Sequence, residues 1–160
     1  MPMINADGCS IHVEVEGAEG APVLMLSNSL GTTLQMWDPQ AEALKDSFRM
    51  LRYDQRGHGQ TEAPTGRYTF EFLCADVIAL MDGLGIKRAH WCGVSMGCAT
   101  GMGLVQKHPD RFDRMALCDN PGRSSPEPTG NGRNASLWRR KVECRRFWNR
   151  PCSAGFHRKR

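Results

Sequence analysis

A chain of 160 residues with a formal net charge of +4 has room for one domain with a buried core, yet it is small for most α/β enzymes and reads as a portion of a larger fold. The charge is unevenly placed: after Gly130 the ten bases Arg133, Arg139, Arg140, Lys141, Arg145, Arg146, Arg150, Arg158, Lys159 and Arg160 face the single acid Glu143, whereas the sequence up to Gly130 is mildly acidic. Seven cysteines, an odd number without a C-x-x-C pair, and the lack of a basic-then-apolar leader or of an apolar run near the roughly 20 residues of a bilayer span argue against a secreted or membrane-spanning protein. Cys74, Cys92, Cys98 and Cys118 fall inside apolar runs, where a free thiol behaves as a small hydrophobe, so a reduced, cytoplasmic protein is expected.

Ile4 to Ala6 and Ile11, Val13 and Val15 flank Asp7-Gly8, which predicts an antiparallel hairpin at the start. Val23 to Leu26 is a continuous apolar run, as expected of a strand covered on both faces in a parallel sheet. Pro39, followed by Ala41, Ala43 and Leu44, suits a first helical turn. Met50 to Tyr53 is the next strand, and Asp54 to Arg67 reads as a loop. Thr69 caps a helix whose buried stripe is Leu73, Val77, Leu80, Met81 and Leu84, stopped by Gly83 and Gly85. Ala89 to Cys92 is a strand, Met96 to His108 a helix, and Met115 to Cys118 a further strand. This alternation predicts an α/β fold with a mainly parallel sheet and helices on its faces.

Three segments could carry chemistry. Gly93-Val94-Ser95-Met96-Gly97 joins a strand to a helix, the context in which G-x-S-x-G forms a nucleophile elbow: Gly93 and Gly97 permit the sharp turn, Ser95 is lifted above the sheet, and the Met96 amide at the helix N-terminus can hold a developing oxyanion. The same five residues also suit a plain glycine-rich turn, so the flanking segments matter. Ser27-Asn28-Ser29-Leu30-Gly31 follows a buried strand, where the second oxyanion donor belongs; it is assigned to the Leu30 amide. Asp54-Gln55-Arg56-Gly57-His58-Gly59 follows another strand and is read as a loop, with Asp54 and Arg56 as a structural ion pair and His58 a loop residue rather than a base.

These segments, with LMDGLGIKRAH at Leu80 to His90 and HPDRFDRMAL at His108 to Leu117, occur in the order seen in the α/β-hydrolase superfamily. With LSNSLGTTLQMWDPQ at Leu26 to Gln40, the chain most resembles 3-oxoadipate enol-lactonases of aromatic catabolism, over about residues 3 to 128. Cys98 departs from the Gly common in these enzymes. The resemblance implies a serine hydrolase of lactones or other carboxylic esters that uses no metal or organic cofactor, takes a small-molecule lactone or ester as its partner, and proceeds through an acyl-enzyme. Alternatives within the superfamily are another esterase or a carbon–carbon bond hydrolase. Ser95 argues against relatives that place Asp at the elbow. The resemblance also puts the catalytic histidine and acid beyond a lid, far downstream, so the chain is expected to be truncated before the lid and C-terminal strands, and to lack both groups and activity. Asp119 is read as a turn former, although some relatives supply the acid from that position. His12, His90 and His108 are read as packed or solvated, and His157 lies in the basic tail.

Residues 1 to 129 thus form a partial hydrolase core, and residues 130 to 160 a basic, disordered tail without periodicity. Trp138, Phe147 and Trp148 among arginines would suit a nucleic-acid partner, but a change of reading frame accounts for the tail better. With suitable codons, the stretch from Gly130 to Trp138 read from the third base gives Gln-Trp-Gln-Glu-Arg-Ile-Ala-Leu, in the style of the lactonases. Sequencing the gene across the Gly130 codon is expected to reveal a frame that continues for roughly a hundred residues, to the usual size of such a domain, and carries an acid and then a histidine. An early stop in that frame would return the basic tail to the status of a genuine feature.

Overall fold

The computed structural model describes residues 3–6 and 8–119; the expected tail, residues 130–160, and its boundary at 129 lie outside the described residues. The chain opens with β1 (Met3–Ala6) and β2 (Cys9–Glu16), an antiparallel hairpin in which Ala6 faces Cys9 and Gly8 takes a φ of 83°. A positive φ is what a tight hairpin connection requires and what Gly adopts without steric cost. The other strands are β3 (Val23–Ser27), β4 (Arg49–Tyr53), β5 (Ala89–Val94) and β6 (Phe112–Cys118). They form one sheet in the order β1-β2-β4-β3-β5-β6, with β2 antiparallel to β4 and all pairings from β4 to β6 parallel.

The alternation of side chains along each strand divides the core in two. On one face Met25 of β3, Leu51 and Tyr53 of β4 and Trp91 of β5 pack with Val77, Leu80 and Met81 of α2 (Phe70–Gly83) and Leu104 of α3 (Met96–Lys107). On the other, Leu24 and Leu26 of β3 and Met50 of β4 pack with Trp37 and Ala41, from a 3-10 turn over Leu34–Trp37 and the helix α1 (Asp38–Leu44) that follows it. Burial on both faces explains the unbroken apolar run at β3. Pro39 sits in the first turn of α1, where its missing N–H costs no helical hydrogen bond.

Both ends of α2 are set by local chemistry. The Thr69 hydroxyl accepts the Phe72 N–H at 3.4 Å. At the exit, the Ile86 N–H reaches the Met81 carbonyl at 2.7 Å and the Gly85 N–H the Asp82 carbonyl at 3.1 Å, with Gly85 at φ 66°. This is a Schellman ending, and it requires the left-handed residue that Gly85 supplies. No helix among the described residues is long and apolar enough to cross a membrane.

One expectation is corrected. Asp54 and Arg56 do not pair with each other; each finds a partner distant in sequence. Asp54 receives Nδ1 of the fully buried His12 at 3.0 Å. Arg56 makes a two-pronged contact with Asp76 of α2, Nε to Oδ2 at 2.7 Å and Nη2 to Oδ1 at 2.5 Å, and its guanidinium lies 4.9 Å from the Phe72 ring centroid. Each is drawn instead to a buried partner on another element, β2 for Asp54 and α2 for Arg56. A second charged cluster joins Arg52 of β4 to Glu14, directly opposite it on β2, to Glu16, and to Asp38 of α1.

Because Arg56 and Asp76 are both buried, removing one partner leaves an uncompensated charge. Asp76→Ala is expected to lower stability by about 3–5 kcal/mol, and the double change Arg56→Met with Asp76→Leu by much less. Urea midpoints of the two variants check the ordering.

Candidate active site

In an open parallel sheet, a ligand crevice lies at the carboxyl ends of the strands where the connections diverge to opposite sides. Here β3 is flanked by β4 and β5, and the chain runs from β3 to β4 on one side and from β5 to β6 on the other. The divergence therefore falls beside the ends of β3 and β5. Those strands lead into the loop that begins at Asn28 and into the single residue Ser95.

Ser95 alone separates β5 from α3. It has φ 52° and ψ −105°, a conformation that costs a side-chain-bearing residue on the order of 1–3 kcal/mol. The turn closes because its neighbours lack side chains. A Cβ on Gly93 would lie 2.3 Å from the Gly97 carbonyl oxygen, and one on Gly97 would lie 2.3 Å from the Ser27 carbonyl oxygen. The Ser95 N–H is fixed by the Cys118 carbonyl at 3.0 Å, which ties the elbow to the end of β6. The Ser95 hydroxyl has no hydrogen-bond partner among the described residues, and Met96 opens α3, whose first-turn amides lack intrahelical acceptors.

The loop after β3 is built mostly from its own hydrogen bonds. The Thr32 N–H and hydroxyl both reach the Ser29 carbonyl, at 3.3 and 2.8 Å, and the Asn28 amide donates to the Thr32 carbonyl at 2.6 Å. Gly31, the third residue of this turn, has the positive φ of 73° that a type II turn requires there. Leu30 occupies the tip with its side chain 70% exposed. The Ser29 N–H is turned toward Met36 Sδ at 3.5 Å and the Gly31 N–H toward His58 Nε2 at 3.0 Å. The Leu30 N–H between them has no partner among the described residues.

The loop after β4 braces this one. Asp54 Oδ1 accepts the Leu34 N–H at 2.8 Å, Asp54 Oδ2 accepts the Gln60 N–H at 3.0 Å, and the Gln55 side chain donates to the Asn28 carbonyl at 2.6 Å. Gly59, at φ 51°, is required because a Cβ there would meet Asp54 Oδ2 at 2.2 Å. The sequence reading named the segments that hold Asn28, Gln55 and His58 but gave these side chains no bracing contacts. Their only sequence signal was the density of polar side chains and glycines in two short segments after strands.

The thiols and the phenol near the Ser95 turn are held in their protonated forms. Burial, and secondarily Cys118, pushes the Cys92 thiol up to about 12, and burial raises Cys98 too. Burial likewise holds the Tyr53 phenol well above its ordinary range, against the Ser27 hydroxyl at 3.0 Å. None of the described histidines is hydrogen-bonded to Ser95. His12 is held by Asp54, and His58 Nε2 by Gly31. The His90 ring meets Phe48 edge-on, with its pKa lowered by burial. His108 follows α3, about 18 Å along the helix from Ser95. Asp119 is exposed at φ 53° just after β6, in keeping with a turn.

Comparison with known proteins bears on this arrangement. A family profile described as "alpha/beta hydrolase fold" matches residues 22–143. The chain is 38% identical over 129 residues to 3-oxoadipate enol-lactonase 1 of Acinetobacter baylyi, covering 81% of this chain and 48% of that one. The crystal structure of the enol-lactonase from Burkholderia xenovorans LB400 is similar at a TM-score of 0.72 and 52% identity, covering 73% of this chain and 46% of that one. A thermophilic esterase from Thermogutta terrifontis is similar at a TM-score of 0.70 and 30% identity, over 78% of this chain and 47% of that one. The chain spans about half the length of these relatives. Because the matched span runs through β3, β4, β5 and β6 and through the elbow between β5 and α3, the chain belongs to the α/β-hydrolase fold family.

Proposed function

We propose that the chain carries the nucleophile-bearing part of a carboxylic-ester hydrolase acting on a small-molecule lactone, with Ser95 as nucleophile. The observation that carries this reading is the positive φ of Ser95 between β5 and α3, bordered by two glycines with no room for a Cβ. A strained non-glycine residue at a crevice, where glycine would adopt that backbone freely, points to a need for its side chain. The two oxyanion donors are the Leu30 and Met96 amides, the first left free between two engaged neighbours and the second at the start of α3. Similarity to enol-lactonases supports a lactone as the substrate class. Similarity to a thermophilic esterase favours, as a second reading, an open-chain ester.

In this chemistry Ser95 Oγ attacks the carbonyl carbon and gives its proton to a base, while the two amides hold the charge that develops on the carbonyl oxygen. The ring C–O bond then breaks, its oxygen takes that proton, and water hydrolyses the acyl-enzyme. Among the described residues no histidine is hydrogen-bonded to Ser95 to serve as that base. An unassisted serine hydroxyl is a weak nucleophile at neutral pH.

The 160-residue chain is therefore expected to hydrolyse neither 3-oxoadipate enol-lactone nor a p-nitrophenyl ester above the Ser95→Ala background, and to resist a fluorophosphonate. Stoichiometric, Ser95-dependent labelling would reveal a base and refute the inactivity. In a chain extended to include a downstream acid and histidine, Ser95→Ala should lower kcat by about 10⁴-fold or more, since these groups act as a unit. Unchanged turnover in that variant would remove Ser95 from the mechanism.

A further inference from the structure

The segment Asp54 to Gly59 makes more polar commitments than a connection between a strand and a helix needs. Three of its side chains hold three points of the loop after β3. Asp54 takes the Leu34 N–H, Gln55 gives to the Asn28 carbonyl, and His58 Nε2 accepts the Gly31 N–H at 3.0 Å. The segment is itself anchored to α2 through Arg56 and Asp76. Of the three ties, only that of His58 reaches the tip of the turn, next to Leu30.

The partners of His58 determine its chemical form. A backbone N–H can only donate, so Nε2 must present its lone pair to Gly31. The Arg56 carbonyl, 3.1 Å from Nδ1, can only accept, so Nδ1 must carry the hydrogen. An imidazolium would set N–H against N–H at Gly31 and lose the contact. We propose that His58 is a positioning residue, held as the neutral Nδ1–H tautomer by the Arg56 carbonyl, which clamps the Gly31 amide and so fixes the Leu30 N–H for the developing oxyanion. This rests on the reading of the Leu30 amide as a donor.

Chemistry narrows the residue types that could do this. Lys and Arg have no acceptor at neutral pH. Asp or Glu would accept the N–H, but would place a full negative charge beside the point where negative charge develops in the reaction, and so oppose it. A neutral imidazole accepts without that cost. The flanking glycines let the backbone turn at His58: a Cβ on Gly57 would strike the Tyr68 ring at 2.7 Å and one on Gly59 would strike Asp54.

The test is nuclear magnetic resonance on the ¹⁵N-labelled 160-residue chain at about pH 8, where an ordinary imidazole is neutral. We expect a protonated Nδ1 and unprotonated Nε2 on His58, a scalar coupling across the hydrogen bond between the Gly31 nitrogen and His58 Nε2, and slowed exchange at the Gly31 amide. His58→Phe should speed that exchange about tenfold and lower the order parameter of the Leu30 N–H, without affecting the α2 or β3 amides. His58→Gln, which keeps a neutral acceptor, should recover part of both. An Nε2–H tautomer, or Gly31 exchange indifferent to His58→Phe, would overturn the proposal. If the Phe variant fails to fold, the tautomer and the coupling in the unaltered chain decide alone. Ser95→Ala should leave all these signals unchanged. Failure of the proposed nucleophile role would thus appear as unchanged turnover of Ser95→Ala in the chain extended to include a downstream acid and histidine, with the clamp signals intact, whereas failure of the clamp would appear here regardless of Ser95 reactivity.

Discussion

The fold around the crevice depends on one close approach, that of the first turn of α3 to the backbones of β3 and β5. Gly97 sits where a Cβ would be 2.3 Å from the Ser27 carbonyl oxygen, and one turn later Gly101 sits where a Cβ would be 2.5 Å from Trp91 Nε1. Glycine inside a helix costs roughly 1 kcal/mol relative to alanine, so Gly97, Gly101 and Gly103 make α3 a poor helix in isolation. Packing reverses that balance. The bare stripe lets α3 lie against the sheet, the Trp91 indole fills the volume that the glycines leave, and Gly103 admits Cys74 of α2. The strain at Ser95 persists because straightening the elbow would lift α3 from all of these contacts.

A second layer of constraint is polar. The β3 loop carries an exposed leucine and a free amide at its tip, features that would let an unsupported loop collapse onto itself. It is braced by the loop after β4, which is itself tied to other elements: Asp54 is held by His12 of β2, and Arg56 pairs with Asp76 of α2. The side chains that touch the β3 loop near its ends, Asp54 and Gln55, are buried, whereas His58 at its tip is half-buried. The tip is thus held by its own turn hydrogen bonds and, from the loop after β4, by the His58 imidazole.

The sequence was most legible where structure obeys local rules. The hairpin at Gly8, the cap at Thr69, the stop at Gly85 and the sharp strand-to-helix turn at Ser95 each depend on a few adjacent residues, and each of these local structures stands where its residues predicted. Strand ends were less legible. β6 begins at Phe112 rather than Met115, because exposed Asp113 and Arg114 interrupt the apolar run; Asp113 is paired there with Arg88 at 2.7 Å. Least legible were the partners of Asp54 and Arg56, which lie 42 residues before and 20 residues after them in the chain. No periodicity encodes such pairs. They exist only once β2, β4 and α2 have been brought together, which is also why the Asp54–Gly59 segment read as a mere loop.

The crowding that builds the Ser95 turn also governs the thiols beside it. A thiol is the better intrinsic nucleophile, and Cys92 and Cys98 lie on either side of Ser95 in sequence, yet desolvation disfavours the thiolate in both. Cys98 is fully buried, so its sulfur is also out of reach of a substrate. Ser95 is the reverse case: only partly buried, without a partner for its hydroxyl among the described residues, and followed by the open amides of α3. The fold thus settles position and local field before reactivity. No described side chain is hydrogen-bonded to that hydroxyl, and the groups that crowd the two glycines of the turn are backbone, the Ser27 hydroxyl and the Trp91 indole, whose N–H can only donate.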